Sequence, residues 1–97
     1  MLRKRVDKNH QEIIHSLRSC GYSVFDASIL GNGFPDIVVG AHGFNFLFEI
    51  KNKKYKNTKK TLTLDQKEFH ESWKGQKSII QSAEEAILII KEKFKNV

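Results

Sequence analysis

Three charged residues lie within two apolar stretches that otherwise have the composition of buried β-strands. Residues 34–51 read FPDIVVGAHGFNFLFEIK, and the charged residues are Asp36, Glu49 and Lys51. Ionised side chains are rare among buried strand residues unless they are paired or bound to a metal ion. We therefore interpret these three residues as a candidate chemical site, since carboxylates bind hard cations and an amine offsets negative charge.

The spacing predicts that the two carboxylates face each other. Because side chains alternate along a strand, Glu49 and Lys51 project from the same face of the sheet. Suppose that Gly40 pairs with Asn45 across a four-residue turn. Each further pair then lies one residue earlier on the first strand and one residue later on the second. Asp36 then stands opposite Glu49, with the side chains about 5 Å apart. Only an odd shift of register separates the two acids, and it inverts the whole strand.

Such an arrangement suits hydrolysis of a nucleic-acid backbone. Two carboxylates this close repel each other, which raises the pKa of one unless a cation lies between them. Mg²⁺ binds one or two carboxylates together with water and substrate phosphate, and it lowers the pKa of bound water. Lys51 on the same face can hold the attacking water. The alternative is a metal-free ion pair of Lys51 with Asp36 or Glu49. A buried ion pair of this kind contributes less to stability than apolar packing of the same volume.

The surrounding pattern predicts one α/β domain over residues 1–97, a mixed sheet flanked by helices in the order αβββαβα. The two strands of the hairpin are apolar on both faces, so we expect helices to cover both sides of the sheet. Leu64, Phe69 and Trp73 are the expected apolar contacts of the second helix. The first predicted helix covers residues 5–20, the second runs from a capping box at Thr63 to Gly75, and the third begins at a capping box at Ser82. The predicted strands are residues 22–27, 35–40, 45–51 and 77–81.

The positive charge of the chain is concentrated after the third predicted strand. Seventeen Lys and Arg residues against eleven Asp and Glu residues give a formal net charge of +6. No acidic residue lies between Glu49 and Asp65. Lysines there attract phosphates, and a tyrosine among them can stack on a base, so we expect nucleic-acid binding rather than a solvated loop without a partner. The residues concerned are Lys53, Lys54, Tyr55, Lys56, Lys59 and Lys60.

Cysteine content and hydropathy favour a cytoplasmic protein. Cys20 is alone, so no intrachain disulfide can form, which is typical of a reducing compartment. The basic N-terminus is not followed by the apolar segment of a signal peptide. The longest wholly apolar run, residues 86–90, is too short to span a bilayer. We therefore expect no membrane partner.

The motifs resemble the PD-(D/E)xK nuclease superfamily. Pro35-Asp36, twelve intervening residues and Glu49-Ile50-Lys51 match its motif, and the order αβββαβ matches its restriction-endonuclease-like core. The chain is most similar to the VRR-NUC branch and the related Holliday-junction resolvase-like nucleases, including small phage-encoded members. The similarity extends over nearly the whole chain, through GNGFPDIVVG, FLFEIK, LTLDQKEFHESWKGQ and SAEEAI.

The resemblance implies roles for individual residues. Asp36 and Glu49 are expected to bind Mg²⁺ or Mn²⁺, with the Ile50 carbonyl as a further ligand, and Lys51 is expected to assist the nucleophile. Gln66 matches a glutamine of this branch that supports the active site or contacts phosphate, and this role can coexist with its place in the capping box.

Members of the family often add an acid from the first helix. Glu12 is the candidate here, but its helical phase places it well off the apolar stripe of that helix. The resemblance therefore gives only weak support to Glu12 as a metal ligand.

For function, the resemblance implies a metal-dependent endonuclease that hydrolyses DNA, with branched, flapped or junction DNA as preferred substrates and recombination and repair as its setting. A homodimer in the cytoplasm of a bacterium or phage-infected cell fits this activity, because one small subunit offers little contact surface. One alternative is a non-catalytic nucleic-acid-binding module on the same fold, with salt-sensitive binding. Another is a basic protein-interaction domain with no affinity for DNA at physiological salt.

Overall fold

A computed structural model of the chain describes residues 8–52 and 62–95. The predicted α/β class and element order are confirmed. In chain order the elements are α1 (Lys8–Ser19), β1 (Ser23–Asp26), β2 (Ile37–Ala41), β3 (Phe44–Ile50), α2 (Leu64–Ser72), β4 (Lys77–Ile80) and α3 (Ala83–Lys95). No helix within the two described ranges has both the length and the apolar character needed to cross a membrane.

Part of the predicted organisation lies outside the described residues. The first three residues of the predicted opening helix, 5–7, belong to this part. So do the six residues expected to bind nucleic acid, namely Lys53, Lys54, Tyr55, Lys56, Lys59 and Lys60.

The sheet has four strands in the order β1-β2-β3-β4. β1 and β2 are antiparallel, as are β2 and β3, whereas β3 and β4 are parallel. The expected register is confirmed, since Gly40 pairs with Asn45 and Ile37 with Phe48. One further step outward along both chains places Asp36 opposite Glu49.

The turn of the central hairpin is shorter than predicted. Ala41 also pairs with Phe44, which leaves a two-residue turn of His42 and Gly43. Their φ angles are +53° and +88°, and positive φ at both positions is the geometry of a type I′ turn, whose twist matches that of the flanking strands. The His42 ring also contacts the Phe94 ring of α3 edge-on, with centroids 4.2 Å apart.

The core lies between one face of the sheet and the helices α1 and α3. Alternate residues of β2 and β3 point to this face and meet the apolar stripes of the two helices. The buried cluster consists of Ile37, Val39, Ala41, Phe46, Phe48 and Ile80 from the sheet, with Ile13, Ile14, Leu17, Ala86 and Ile90 from the helices.

Among the described residues, only α2 covers the opposite face of the sheet, and it does so in part. No residue of α2 is buried. Leu64, at 82% exposure, does not supply the expected apolar contact, and Trp73, at 41% exposure, supplies one only outside the buried core. Trp73 instead stacks on Phe69 with ring centroids 5.0 Å apart, and Phe69 meets Phe34 edge-on at 5.3 Å.

The second helix ends before the predicted stop at Gly75. Trp73 takes an extended conformation with φ −72° and ψ 126°, and its N–H donates to the Phe69 carbonyl at 2.9 Å. This hydrogen bond closes the last turn, and the extended backbone of Trp73 ends α2 at Ser72.

The loop before β2 is pressed against the first turn of α2. Gly33 has a φ of +83°, and a Cβ at this position would overlap the backbone carbonyl of Asp65. Gly31 also has a positive φ, +72°, but no atom lies within 4 Å of where its Cβ would be. The two glycines therefore differ in their surroundings and share their backbone conformation.

We expect Gly33→Ala to destabilise the protein more than Gly31→Ala. Both substitutions place a Cβ in the left-handed region, at a cost of about 1–2 kcal/mol. Only at Gly33 must the loop also move away from Asp65, which adds about 1–3 kcal/mol. Urea denaturation followed by circular dichroism measures the difference. Equal destabilisation by the two variants would contradict the close contact between this loop and α2.

Candidate active site

Asp36 lies at the start of β2, beside the end of β3. It follows Pro35, which is fully buried, and directly precedes the first residue of β2. The Ile50 N–H donates to Asp36 Oδ2 at 2.8 Å, and the Ala27 N–H donates to the Asp36 carbonyl at 2.8 Å. These two hydrogen bonds fix both the carboxylate and the backbone of Asp36 beside the end of β3.

Glu49 projects from β3 on the same face and is almost fully buried, at 2% exposure. Its Oε2 accepts a hydrogen bond from Gln66 Nε2 at 2.9 Å. Its Oε1 is buried and has no hydrogen-bond partner among the described residues. A buried acceptor without a donor is rare in folded proteins, so this oxygen is the atom of the site best placed to receive a proton or a cation.

Lys51 lies two residues further along on the same face. Its Nζ donates to Gln66 Oε1 at 3.0 Å and lies 3.7 Å from Glu49 Oε2. The metal-free ion pair considered as an alternative is therefore present in the geometry. Because it engages only Oε2, the pair leaves the other oxygen of Glu49 without a partner.

Gln66 joins the site to the start of α2. Its Oε1 also accepts from the Thr63 N–H at 3.0 Å, and its own N–H donates to Thr63 Oγ1 at 3.2 Å. This is the predicted capping box. One side-chain amide thus caps the helix N-terminus and contacts both Glu49 and Lys51. Gln66 can therefore take part in the capping box and in the candidate site at the same time.

The second predicted capping box, at the start of α3, differs in one partner. The Glu85 N–H donates to Ser82 Oγ at 3.2 Å, as expected for the cap. The Glu85 carboxylate, however, accepts from the N–H of Gln81 at 2.6 Å rather than from that of Ser82. The helix therefore still begins after Ser82, with its acidic partner bound one residue earlier.

The electrostatics of the site centre on Glu49. Burial raises its pKa to about 8, and the neighbouring negative charge of Asp36 acts in the same direction. Lys51 opposes this shift but does not outweigh it. Without a metal ion, Glu49 therefore keeps its proton at neutral pH, as expected for a carboxyl group that is desolvated beside another acid.

The donor set fits a hard cation that keeps part of its water shell. Asp36 and Glu49 would supply the oxygen ligands on one face, and Glu49 Oε1 has no hydrogen-bond partner among the described residues. Within residues 8–52 and 62–95, no group of three or more His, Cys, Asp or Glu side chains is placed to hold a metal ion. Two carboxylates with water ligands suit Mg²⁺, whereas a cage made only of protein ligands is not formed here.

Glu12 is not brought into a cluster with the two acids. It is exposed on α1, the helix whose buried residues pack on the opposite face of the sheet. This exposed position agrees with the prediction that Glu12 lies off the apolar stripe of the helix.

A second polar cluster, which the sequence did not predict, ties α1 to the end of β1. His10 is 6% exposed, and its Nε2 lies 3.3 Å from Asp26 Oδ1. The same oxygen accepts from Ser28 Oγ at 2.7 Å and from the Ser28 N–H at 3.1 Å. Burial alone would raise the pKa of Asp26, but the hydrogen bonds of Ser28 and the contact with His10 lower it. The available signal was a histidine within the apolar stripe of α1.

Two further side chains have a buried nitrogen without a hydrogen-bond partner among the described residues, Nε2 of His70 and Nε2 of Gln81. Burial lowers the pKa of His70, and the charges of Lys77 and Lys51 lower it further. His70 therefore adds no positive charge to this face of the sheet at neutral pH. No sequence pattern distinguished these two residues.

Comparisons with known proteins give no match: no family model, no curated protein and no solved structure is significantly similar to this chain. The resemblance to the nuclease superfamily therefore stays a prediction from the motif residues and the element order.

We expect Glu49→Gln to stabilise the metal-free protein, and to do so increasingly with rising pH. The folded-state pKa of Glu49, about 8, lies above its ordinary value of 4.5. The stabilisation from its bound proton is complete below the ordinary value and is lost as the pH rises through about 8. Glutamine buries no charge, so the difference should reach the order of a few kcal/mol.

Urea denaturation in EDTA, between pH values of about 5 and about 9, measures this difference. Glu92→Gln is the matched control, because the Glu92 side chain is 67% exposed and its replacement should shift stability little at any pH. A stability difference for Glu49→Gln that is independent of pH would show that Glu49 is already ionised in the folded protein.

Proposed function

We propose that the protein is a metal-dependent endonuclease of the PD-(D/E)xK type, with a restriction-endonuclease-like core, that hydrolyses DNA phosphodiester bonds. The observation that carries this proposal is the buried Glu49 carboxylate, which faces Asp36 and retains one oxygen without a partner. Without a cation, two acids this close relieve their repulsion only by keeping a proton. A cation bound by the two acids would relieve this repulsion instead.

Asp36, Glu49 and the Ile50 carbonyl are the proposed ligands of Mg²⁺ or Mn²⁺. When bound, the ion supplies Lewis-acid stabilisation of the phosphate and lowers the pKa of a bound water. The chain's own contribution is to place the ligands in advance. The hydrogen bond from the Ile50 N–H holds Asp36 at 2.8 Å, and Gln66 holds Glu49 at 2.9 Å.

Lys51 is the proposed partner of the attacking water. Hydrolysis forms a bond between the water oxygen and phosphorus and breaks the bond from phosphorus to the departing sugar oxygen. The proton that the water loses passes to solvent, and the departing oxygen takes one up from solvent. The ammonium group of Lys51 orients the water and offsets the negative charge that develops on the phosphate. Gln66 Oε1, 3.0 Å from Lys51 Nζ, keeps the lysine aimed at this position.

DNA is the proposed substrate because the chain has a formal net charge of +6, which favours binding of polyanions. The lysines of residues 53–60, with Tyr55, are the proposed contacts to the phosphates and bases. We place the activity in the cytoplasm of a bacterial or phage-infected cell. A homodimer acting on branched, flapped or junction DNA is part of the same proposal.

We expect Asp36→Asn, Glu49→Gln and Lys51→Met each to lower metal-dependent cleavage by about 100-fold or more, since each removes a ligand or the charge that stabilises the transition state. The measurement is cleavage of supercoiled, linear, flapped and four-way DNA with Mg²⁺ or Mn²⁺. The Glu92→Gln control removes an exposed acid on α3 and should retain wild-type activity.

A wild-type protein that cuts none of these DNAs with either metal would contradict the proposed activity. Salt-sensitive DNA binding by that inactive protein, unchanged by Asp36→Asn or Glu49→Gln, would instead favour the alternative, a non-catalytic nucleic-acid-binding module. Heat released on Mg²⁺ binding, present in the wild type and absent in Glu49→Gln, tests the metal site independently of cleavage.

A further inference from the structure

The loop between β1 and β2 presents two large apolar side chains to solvent. Ile29 is 81% exposed and Leu30 is 56% exposed. Phe25, on the adjoining strand β1, is 64% exposed as well. Single exposed apolar residues are common in folded proteins, but neighbouring ones on a surface are typical of an interaction site.

The loop is held in one shape by its own hydrogen bonds. Asp26 Oδ1 accepts from both Ser28 Oγ and the Ser28 N–H. The Leu30 N–H donates to the Ala27 carbonyl at 3.0 Å, which closes a turn around the two exposed side chains. Ile29 and Leu30 are therefore displayed on a fixed support, and a partner that binds them does not have to order the loop first.

Both ends of this loop are attached to the candidate active site. At its start, the Ala27 N–H donates to the Asp36 carbonyl at 2.8 Å. Near its end, the backbone of Gly33 lies against the backbone of Asp65 and Gln66. The backbone of the loop is therefore anchored beside two residues of the site, Asp36 and Gln66.

The charge beside the loop argues against contact with phosphates there. A surface groove of about 530 Å³ next to the loop is lined by Asn32 and by α2 residues that include three acids, Asp65, Glu68 and Glu71. Carboxylates repel the phosphate backbone. The part of a nucleic acid that can lie on this surface is therefore its uncharged part, the bases.

We propose that Ile29 and Leu30 form an apolar wedge that contacts unpaired bases next to the phosphate held at Asp36 and Glu49. This inference rests on the proposed nuclease function and defines its substrate class. Apolar side chains bind between or against bases that have left the stack, whereas a continuous duplex hides these surfaces. The wedge should therefore favour DNA with unpaired nucleotides near the cleavage point over fully paired DNA.

The test uses the double variant Ile29→Ser/Leu30→Ser and the matched control Leu88→Ser. Leu88 is 67% exposed and lies on α3, which covers the opposite face of the sheet. All three residues are exposed, so the substitutions should leave the fold intact, and circular dichroism checks this. The DNA probes are a fully paired duplex and the same sequence with a short unpaired stretch that carries 2-aminopurine.

Binding is measured first in EDTA, where no cleavage occurs. The wild type and Leu88→Ser should raise the 2-aminopurine fluorescence as they unstack the base. The double variant should lose this rise and bind the unpaired probe about tenfold more weakly, with affinity for the duplex within about twofold of wild type. Cleavage with Mg²⁺ should show the same loss of preference for unpaired DNA.

The outcomes separate this inference from the proposed activity. If the wild type cleaves DNA and the double variant matches it on both probes, the wedge is wrong and the nuclease stands. If the wild type never cleaves but gives the fluorescence change that the double variant lacks, the nuclease is wrong and the wedge stands.

Two further outcomes also contradict the wedge. An equal loss of affinity for paired and unpaired DNA would make the loop a general DNA contact. A change of oligomeric state in the double variant by analytical ultracentrifugation, with the fluorescence change intact, would make this surface a contact with a second copy of the chain.

Discussion

The site depends on one side-chain amide, that of Gln66, which connects a helix to the sheet. Its oxygen accepts from Lys51 and from the Thr63 N–H, and its nitrogen donates to Glu49. A glutamine can do this because it offers an acceptor and donors in one plane. A carboxylate in its place would repel Glu49, and an apolar side chain would leave Glu49 and Lys51 without these partners. The same side chain thus positions the charged groups and fixes the start of α2.

The two faces of the sheet have different physical roles. On one face, Ile37 and Phe48 pack against α1 and α3 in a continuous apolar core, which supplies most of the burial that favours folding. On the other face, the same two strands present Asp36 and Glu49, whose proximity is unfavourable without a proton or a cation between them. Since alternation along a strand produces both faces together, the apolar packing on one side holds the acids in place on the other.

The sequence was sufficient for the parts of the structure that depend on local periodicity. Strand alternation and a tight turn placed Asp36 opposite Glu49, and the capping pattern located the start of α2. The sequence was insufficient for the burial of individual side chains and for contacts between residues that are far apart in the chain. Helical spacing could not show that Trp73 remains partly exposed, because exposure depends on how closely α2 approaches the sheet. The contact between His10 and Asp26 joins residues that only the tertiary fold brings together.

The weak packing of α2 has a consequence for how the molecule behaves in solution. None of its residues is buried, so its attachment relies on ring contacts such as that between Phe34 and Phe69, on Gly33 and on the hydrogen bonds of Gln66. Segments with little buried apolar surface open at a lower free energy than the rest of a protein. The amides of α2 should therefore exchange with deuterium well before those of β2 and β3, and the site would disassemble while the core remains folded.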